Sequence, residues 1–224
     1  MDRLYSNIKI EIPEKIFIKD PESSDLGKRI IEKSILLINE IGFELFTFKK
    51  LGNEIDSNES SIYRYFENKH KLLVYLFSWY WGWIEYRLVF ETHHLKNSTE
   101  KLYTAIRVLT QTIKEDSNFS HINEIRLHQI MIKENSKTYL TNLVDTENAE
   151  GYFLIYKRVV QRLSEMVLEE KPNYEFALSL SSTIVEGALH QHFLKTHFKS
   201  ITDCDAEEKR PSLFFTELVQ SILS

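Results

Sequence analysis

The stretch Phe46-Thr47-Phe48-Lys49-Lys50-Leu51-Gly52-Asn53-Glu54-Ile55-Asp56-Ser57-Asn58-Glu59-Ser60-Ser61-Ile62-Tyr63-Arg64-Tyr65-Phe66-Glu67-Asn68-Lys69 decides the fold of this chain. It spells a short helix, a tight polar turn, a second short helix and the start of a third. Leu51 and Ile55 give the first short helix an inward face. Asp56-Ser57-Asn58 suits a tight turn, because short polar side chains bond the local backbone. Asn58 is placed to cap the next helix, with Glu59, Ser60 and Ser61 in its first turn. Ile62 and Phe66 point inward and hold its angle. This is the layout of a helix-turn-helix unit, which sets its second helix in the DNA major groove.

The same spacing assigns roles to the polar side chains. Ser57, Asn58, Glu59, Ser60 and Ser61 fall where base edges are read. Glu59 has the chemistry to accept from cytosine N4, but an acid in a first turn is also favoured by the helix dipole, and that structural role weighs more. Tyr63, Arg64 and Tyr65 flank the groove within reach of phosphates. Lys69 opens the following helix, whose free N–H groups and partial positive charge form a phosphate site. Thr47, Phe48 and Lys49, opening the first short helix, complete the DNA-facing set.

Upstream, a helix is expected from Ser24, its cap, with Asp25 in the first turn and Ile30, Ile31, Ser34, Leu37, Ile38 and Ile41 on one face. Gly42 ends it, as a residue free to turn left-handed. Residues 1–22 are written differently. Ile8, Ile10 and Ile12 alternate with Lys9 and Glu11, and Pro13 and Pro21 punctuate. That period of two predicts an extended arm or short strand, lying as a tail on the body rather than reaching DNA or a partner.

Downstream, Asn68 caps a long apolar helix over about 69–93, with Leu73, Phe77, Tyr80, Ile84 and Leu88 at helical spacing. Further helices are expected over 99–115, 120–133, 150–169, 175–197 and 211–222. Breaks fall at Asp116-Ser117-Asn118, Asp145-Thr146-Glu147-Asn148 and Lys171-Pro172-Asn173. The fold class is therefore all-α, with about nine helices. The domains read as an arm over 1–22, a three-helix helix-turn-helix domain over 23–70, and a larger helical domain over 71–224.

The segment 28–73 resembles the DNA-binding domain of the TetR family of bacterial transcriptional regulators. The resemblance is carried by Gly42-Phe43, Thr47, Leu51, Ile62-Tyr63-Arg64-Tyr65-Phe66, Asn68-Lys69 and Leu72-Leu73. Four positions depart from the family pattern. Ile55 and Asp56 stand where it has a small Ala before a Gly, Ser57 where it has an apolar residue, and Glu59 where a small or basic one is common. The resemblance implies that the rest of the chain is an effector-binding and dimerisation domain. It implies an effector pocket lined by Tyr86, Phe90, Tyr103, Arg107, His128, Phe153 and Tyr156. It also implies a four-helix dimer interface from the last two helices of each subunit. On those helices Ala177, Ser181, Ile184, Val185 and Ala188 form a stripe of small and branched residues, and Phe214, Phe215, Leu218 and Ile222 an apolar face.

Composition sets the remaining bounds. The 224 residues are 42% hydrophobic, enough for a packed core, and six Gly and four Pro leave few breakers among long helices. The net charge is −5, and residues 1–71 hold 12 Lys/Arg against 13 Asp/Glu. DNA binding must then rest on local geometry rather than bulk charge. The single Cys204 excludes an internal disulfide and suits a reducing compartment; a lone thiol is more often inert than a sensor. No secretory signal opens the chain, and its most apolar run, 72–84, is too short for a membrane span of about 20 residues, so a cytoplasmic protein without membrane contact is expected. Histidine spacing (His93-His94, His190 and His192) suits no metal, and no HExxH, glycine-rich phosphate loop or GxSxG occurs. No cofactor and no enzyme activity are expected.

Together these readings predict a ligand-responsive, DNA-binding transcriptional regulator, a repressor in its default form, that binds a palindromic operator as a homodimer. Its partners are double-stranded DNA, a small-molecule effector and a second copy of the chain. The alternative is a helical protein that keeps the scaffold but acts through a protein partner, with a degenerate DNA domain.

Overall fold

The computed structural model of the chain describes residues 10–113, 121–204 and 209–224, and their regular structure is helical throughout. Ten α-helices run in order among them: α1 Asp25–Leu45, α2 Phe48–Glu54, α3 Glu59–Tyr63, α4 Lys69–Thr92, α5 Ser98–Thr110, α6 Glu124–Glu134, α7 Val144–Ala149, α8 Leu154–Glu170, α9 Ala177–His197 and α10 Arg210–Leu223. The chain divides into two compact units. The first comprises residues 1–82 and 113–154, the second residues 83–112 and 155–224. The sequence reading placed its boundary at 70/71 instead. Residues 113–154 join the helix-turn-helix because α6 packs along α1.

In the first unit, α1 begins where expected. Ser24 Oγ accepts from the Gly27 N–H at 3.2 Å. At Gly42 the backbone takes φ 77°, so α1 is kinked there and only one further turn follows. The first half of α4 is buried all round: every residue from Leu72 to Gly82 is inaccessible. A helix apolar on all faces is a core helix. Phe77 meets Tyr139 and Phe153 edge-on at 6.3 and 6.0 Å, and Tyr80 stacks on His128.

Three downstream expectations are corrected. The helix expected over 120–133 starts at Glu124, because Asn123 Oδ1 takes the Arg126 N–H at 2.9 Å and supplies the cap. The break expected at Asp145-Thr146-Glu147-Asn148 is instead the helix α7. Its two first-turn acids suit the helix dipole, and its Glu147 is buried against His70 at 2.9 Å. The helix expected to begin at Glu150 begins at Leu154, after a turn at Gly151 with φ 89°. The helix over 99–115 ends at Thr110, and its expected end lies outside the described residues, as does the break at Asp116-Ser117-Asn118. The arm forms no strand over its described part. Residues 14–16 and 21–23 are single 3₁₀ turns, with Ile16 and Pro21 buried, and Ile8 lies outside the described residues.

In the second unit α9 packs against α5 and α10. His192 Nε2 donates to the Thr110 carbonyl at 3.0 Å. Burial pushes the His192 imidazole below its ordinary range, against that hydrogen bond. Glu85 is gripped by Arg158 (2.7 Å) and Arg162 (2.8 Å) on successive turns of α8. Its burial would raise the carboxyl, but these two guanidinium partners outweigh it and hold it lowered. Lys101–Glu169 and Arg107–Glu91 close the surface at 2.7 and 2.8 Å. Among the described residues no helix is long and apolar enough to cross a membrane.

Candidate nucleic-acid interface

The helix-turn-helix is built from α2, the turn 55–58 and α3. Thr47 Oγ1 accepts from the Lys50 N–H at 3.2 Å and starts α2. Asn58 Oδ1 accepts from the Ser61 N–H (2.9 Å) and the Ser61 hydroxyl (2.8 Å) and starts α3. The Asn58 cap agrees with the sequence reading of that residue. Between them Ser57 N donates to Gly52 O at 2.9 Å. A Cβ on Gly52 would lie 2.8 Å from Ser57 O, so the approach requires glycine. Asp56 carries the turn with φ 49°, alone in the left-handed region among the described non-glycine residues. It stands where the resembled pattern has glycine, and its short acceptor side chain makes that conformation tolerable. Beneath the turn Leu51, Ile55, Ile62 and Phe66 are all buried.

The outer face is polar and mixed in charge. Thr47, Lys49, Asn58, Ser60, Tyr63 and Arg64 are exposed, and Ser57, Glu59 and Ser61 half-exposed. The Tyr63 hydroxyl donates to Glu59 Oε1 at 3.3 Å, one turn back along α3. That bond gives the acid a partner inside its own helix, in keeping with the structural role weighed for it. Nine residues of the DNA-facing set therefore reach the surface, wholly or in part.

The other three are engaged within the chain. Phe48 is a core residue, 4% exposed, edge-on to Phe46 at 6.3 Å and to Tyr63 at 5.0 Å. Tyr65 is 3% exposed, with its phenol oxygen 2.8 Å from Ser24 Oγ. That hydrogen bond is the main reason the phenol sits below its ordinary range, against the opposing effect of burial. Lys69 Nζ donates to the carbonyls of Phe43, Glu44 and Phe46 at 3.0, 3.2 and 3.3 Å, and lies over the Phe43 ring. An ammonium has three protons. All three are committed to the frayed end of α1, so Lys69 is a helix cap rather than a phosphate ligand.

A further network at the same joint was not legible in the sequence. Glu134, the last residue of α6, accepts the Phe43 N–H at 3.2 Å, just past the Gly42 kink. Lys137 bridges Glu134 and Glu44, both at 2.7 Å. Burial works against the Lys137 charge, but the two carboxylates outweigh it and raise its pKa, and Lys137 lowers that of Glu44. The partners lie some 90 residues apart in the chain, and no local pattern announces them.

The residues assigned to an effector pocket divide between the units. His128 and Phe153 are buried in the first, His128 Nδ1 bonded to the Tyr80 hydroxyl at 2.9 Å. Tyr86, Phe90, Tyr103, Arg107 and Tyr156 are in the second. There Phe90 is 49% exposed and stacks on Tyr86, Arg107 pairs with Glu91, and Tyr156 donates to Glu186 at 2.6 Å. The second unit holds an open cleft of about 320 Å³ bordered by Gln191, Ile201, Cys204, Arg210, Leu213, Phe214 and Glu217 among others.

The residues assigned to dimerisation are also redistributed. Ala177, Ser181, Ile184, Val185 and Ala188 are buried within the chain itself, and so is Phe215, whose ring packs on Gly187. Both α5 and α10 pack on α9. Leu218 and Ile222 are half-buried, and Phe214 stays exposed at 44%. The outward apolar residues of this region include Phe176, Leu178, Phe198, Ile201, Leu213 and Phe214.

Comparison with known proteins agrees with the fold. Residues 30–76 match the family described as bacterial regulatory proteins, tetR family. No curated protein sequence matches the chain. Among solved structures, AibR in complex with isovaleryl coenzyme A and operator DNA superposes with a TM-score of 0.59 at 13% identity, covering 85% of this chain and 97% of that one. A transcriptional regulator from Saccharomonospora viridis in complex with choline gives 0.59 at 15%, over 88% and 94%. The fatty acid degradation regulator FadR from Bacillus halodurans gives 0.59 at 17%, over 88% and 97%. At these identities the likeness speaks for the fold.

Proposed function

We propose that this chain, whose residues 30–76 match the tetR family of bacterial regulatory proteins, is a DNA-binding transcriptional regulator that acts as a homodimer and answers to a small molecule. The observation that carries the reading is the exposed face of α2 and α3. Nine residues of the DNA-facing set reach the surface there while Leu51, Ile55, Ile62 and Phe66 are buried within. Ser57, Asn58, Ser60 and Ser61 are suited to base edges, and Thr47, Lys49, Tyr63 and Arg64 to phosphates. With acids and bases interleaved, non-specific affinity should be low and selectivity should come from geometry.

Two-fold symmetry gives a palindromic operator with half-sites about one helical turn, roughly 34–36 Å, apart. Dimerisation uses the outward side of α9 and α10, with Leu178, Leu213 and Phe214, in place of the buried small-residue stripe. The effector acts by binding one arrangement of the dimer better than another. A hundredfold change in operator affinity needs about 2.7 kcal/mol of such coupling. Two of the similar structures hold chemically unlike ligands, a coenzyme A thioester and choline, so fold does not choose the effector. Repression is the default form.

Selection of bound duplexes from random DNA by the full chain tests the proposal. An enriched palindrome supports it. Failure to enrich any sequence at low salt would favour the alternative, a scaffold acting through a protein partner.

A further inference from the structure

The segment before α1 is tied to the end of the recognition helix α3. Helix ends leave carbonyls without partners. Here the Ile18 N–H donates to Tyr65 O at 2.8 Å, two residues past α3. The Tyr65 phenol oxygen is 2.8 Å from Ser24 Oγ and 3.4 Å from Lys19 Nζ, whose charge also sits 5.1 Å from the ring centre. Ile16 is 1% exposed, and Phe17 meets Tyr75 edge-on at 6.1 Å. Pro21 O comes so near Gly27 that a Cβ there would lie 2.1 Å away. The same peptide is pinned elsewhere in the unit. Tyr152 donates its hydroxyl proton to Lys15 O at 3.1 Å, and His121 Nε2 lies 2.8 Å from Glu22 Oε1.

We infer that residues 13–24 are an intramolecular strap that sets the working angle of the recognition helix by gripping Tyr65, and that Tyr152 and His121 anchor the strap. Tyr65 is then a positioning residue, which explains why a tyrosine beside the groove is turned inward. With the strap released, α3 keeps its side chains but loses its fixed inclination. Base-edge contacts, which need geometry, fall away, while phosphate contacts persist.

The inference rests on the DNA-binding reading, and its test separates the two. The full chain, a truncation lacking residues 1–9, one lacking residues 1–19, Tyr65→Phe and Tyr152→Phe are titrated onto the duplex enriched by selection and onto a random-sequence duplex. Amide exchange at Ile62, Tyr65 and Phe66 is followed in the absence of DNA. Removal of residues 1–9 should change nothing. Removal of residues 1–19 should lower specific affinity about tenfold or more, and Tyr65→Phe about three- to tenfold, the worth of one or two hydrogen bonds. Tyr152→Phe should fall in the same direction by less. Affinity for the random duplex should hold within about twofold, and exchange at positions 62–66 should quicken. Unchanged specific affinity and unchanged exchange in the 1–19 truncation and Tyr65→Phe would overturn the strap. So would an equal loss on both duplexes. If the truncation does not fold, Tyr65→Phe decides. If the full chain selects no sequence, the DNA reading fails, and exchange at 62–66 decides the strap alone.

Discussion

The helix-turn-helix and the α9–α10 pair were both legible as helices, yet their faces were not equally legible. In the helix-turn-helix, Leu51, Ile55, Ile62 and Phe66 are buried as their spacing predicts. On α9 the stripe Ala177, Ser181, Ile184, Val185 and Ala188 has equally regular spacing, but it faces the chain's own core rather than a second subunit. The difference lies in what completes each surface. A short helix in a tight turn packs on neighbours a few residues away, so local periodicity names its inner face. A long helix with apolar residues on two sides leaves open which side its own chain covers. One close approach is at Gly187, where the Phe215 ring of α10 lies 3.0 Å from where a Cβ would stand.

Substitutions can break this contrast directly. The largest effect belongs to the cores: Phe66→Ala should cost about 3–5 kcal/mol and Ile184→Ala about 2–5 kcal/mol in chemical denaturation. Phe214→Ala, on an exposed side chain, should leave unfolding of the isolated chain within about 0.5 kcal/mol while weakening self-association in sedimentation. If instead Ile184→Ala dissociates the dimer and leaves stability intact, the stripe faces a partner and the assignment of faces is reversed.

Next comes Lys69, which separates phosphate binding from capping. Lys69→Met keeps the stem and removes the ammonium from three carbonyls. It should cost about 1.5–3 kcal/mol, the worth of hydrogen bonds from a charged donor. The salt dependence of DNA binding should keep its slope, whereas loss of a phosphate ligand would lower it by about one unit.

A smaller effect is expected at the turn. Asp56→Gly relieves a left-handed residue and should stabilise by up to about 1 kcal/mol, whereas Asp56→Ala should destabilise. Equal melting midpoints for the three proteins would remove strain at the turn.

The smallest effect is set by protons in the second unit. Burial lowers the His192 pKa from 6.5 in the folded chain. The unfolded chain therefore takes up the proton first. Stability from this site is complete above about pH 6.5 and declines as pH falls below it, towards the lower folded value. His192→Gln should flatten denaturation midpoints across that window; an unchanged slope would assign the pH dependence elsewhere.

What the sequence carried is the set of signals that act over a few residues: the caps Ser24, Asn58 and Asn68, the breaker Gly42, and the inward residues of α2 and α3. What it did not carry depends on distant partners. Tyr63 and Tyr65 are two residues apart and chemically identical, yet one is exposed and the other buried, because Ile18 and Ser24 lie against the second. Lys69 looked like a phosphate ligand until the carbonyls at the end of α1 were seen to occupy it. Glu134 gave no sign of its place at the Gly42 kink. The effector residues divide between the two units for a related reason: an aromatic on a long helix does not say which unit it packs in.

The most direct test of the central claim, that the outer face of α2 and α3 reads DNA, is a salt titration of binding to the selected duplex by the chain and by Tyr63→Ala/Arg64→Ala. Both side chains are exposed, so the fold should persist. The account predicts a loss of affinity of about tenfold or more and a salt slope reduced by about one unit. Equal affinity and equal slope in the two proteins would contradict it.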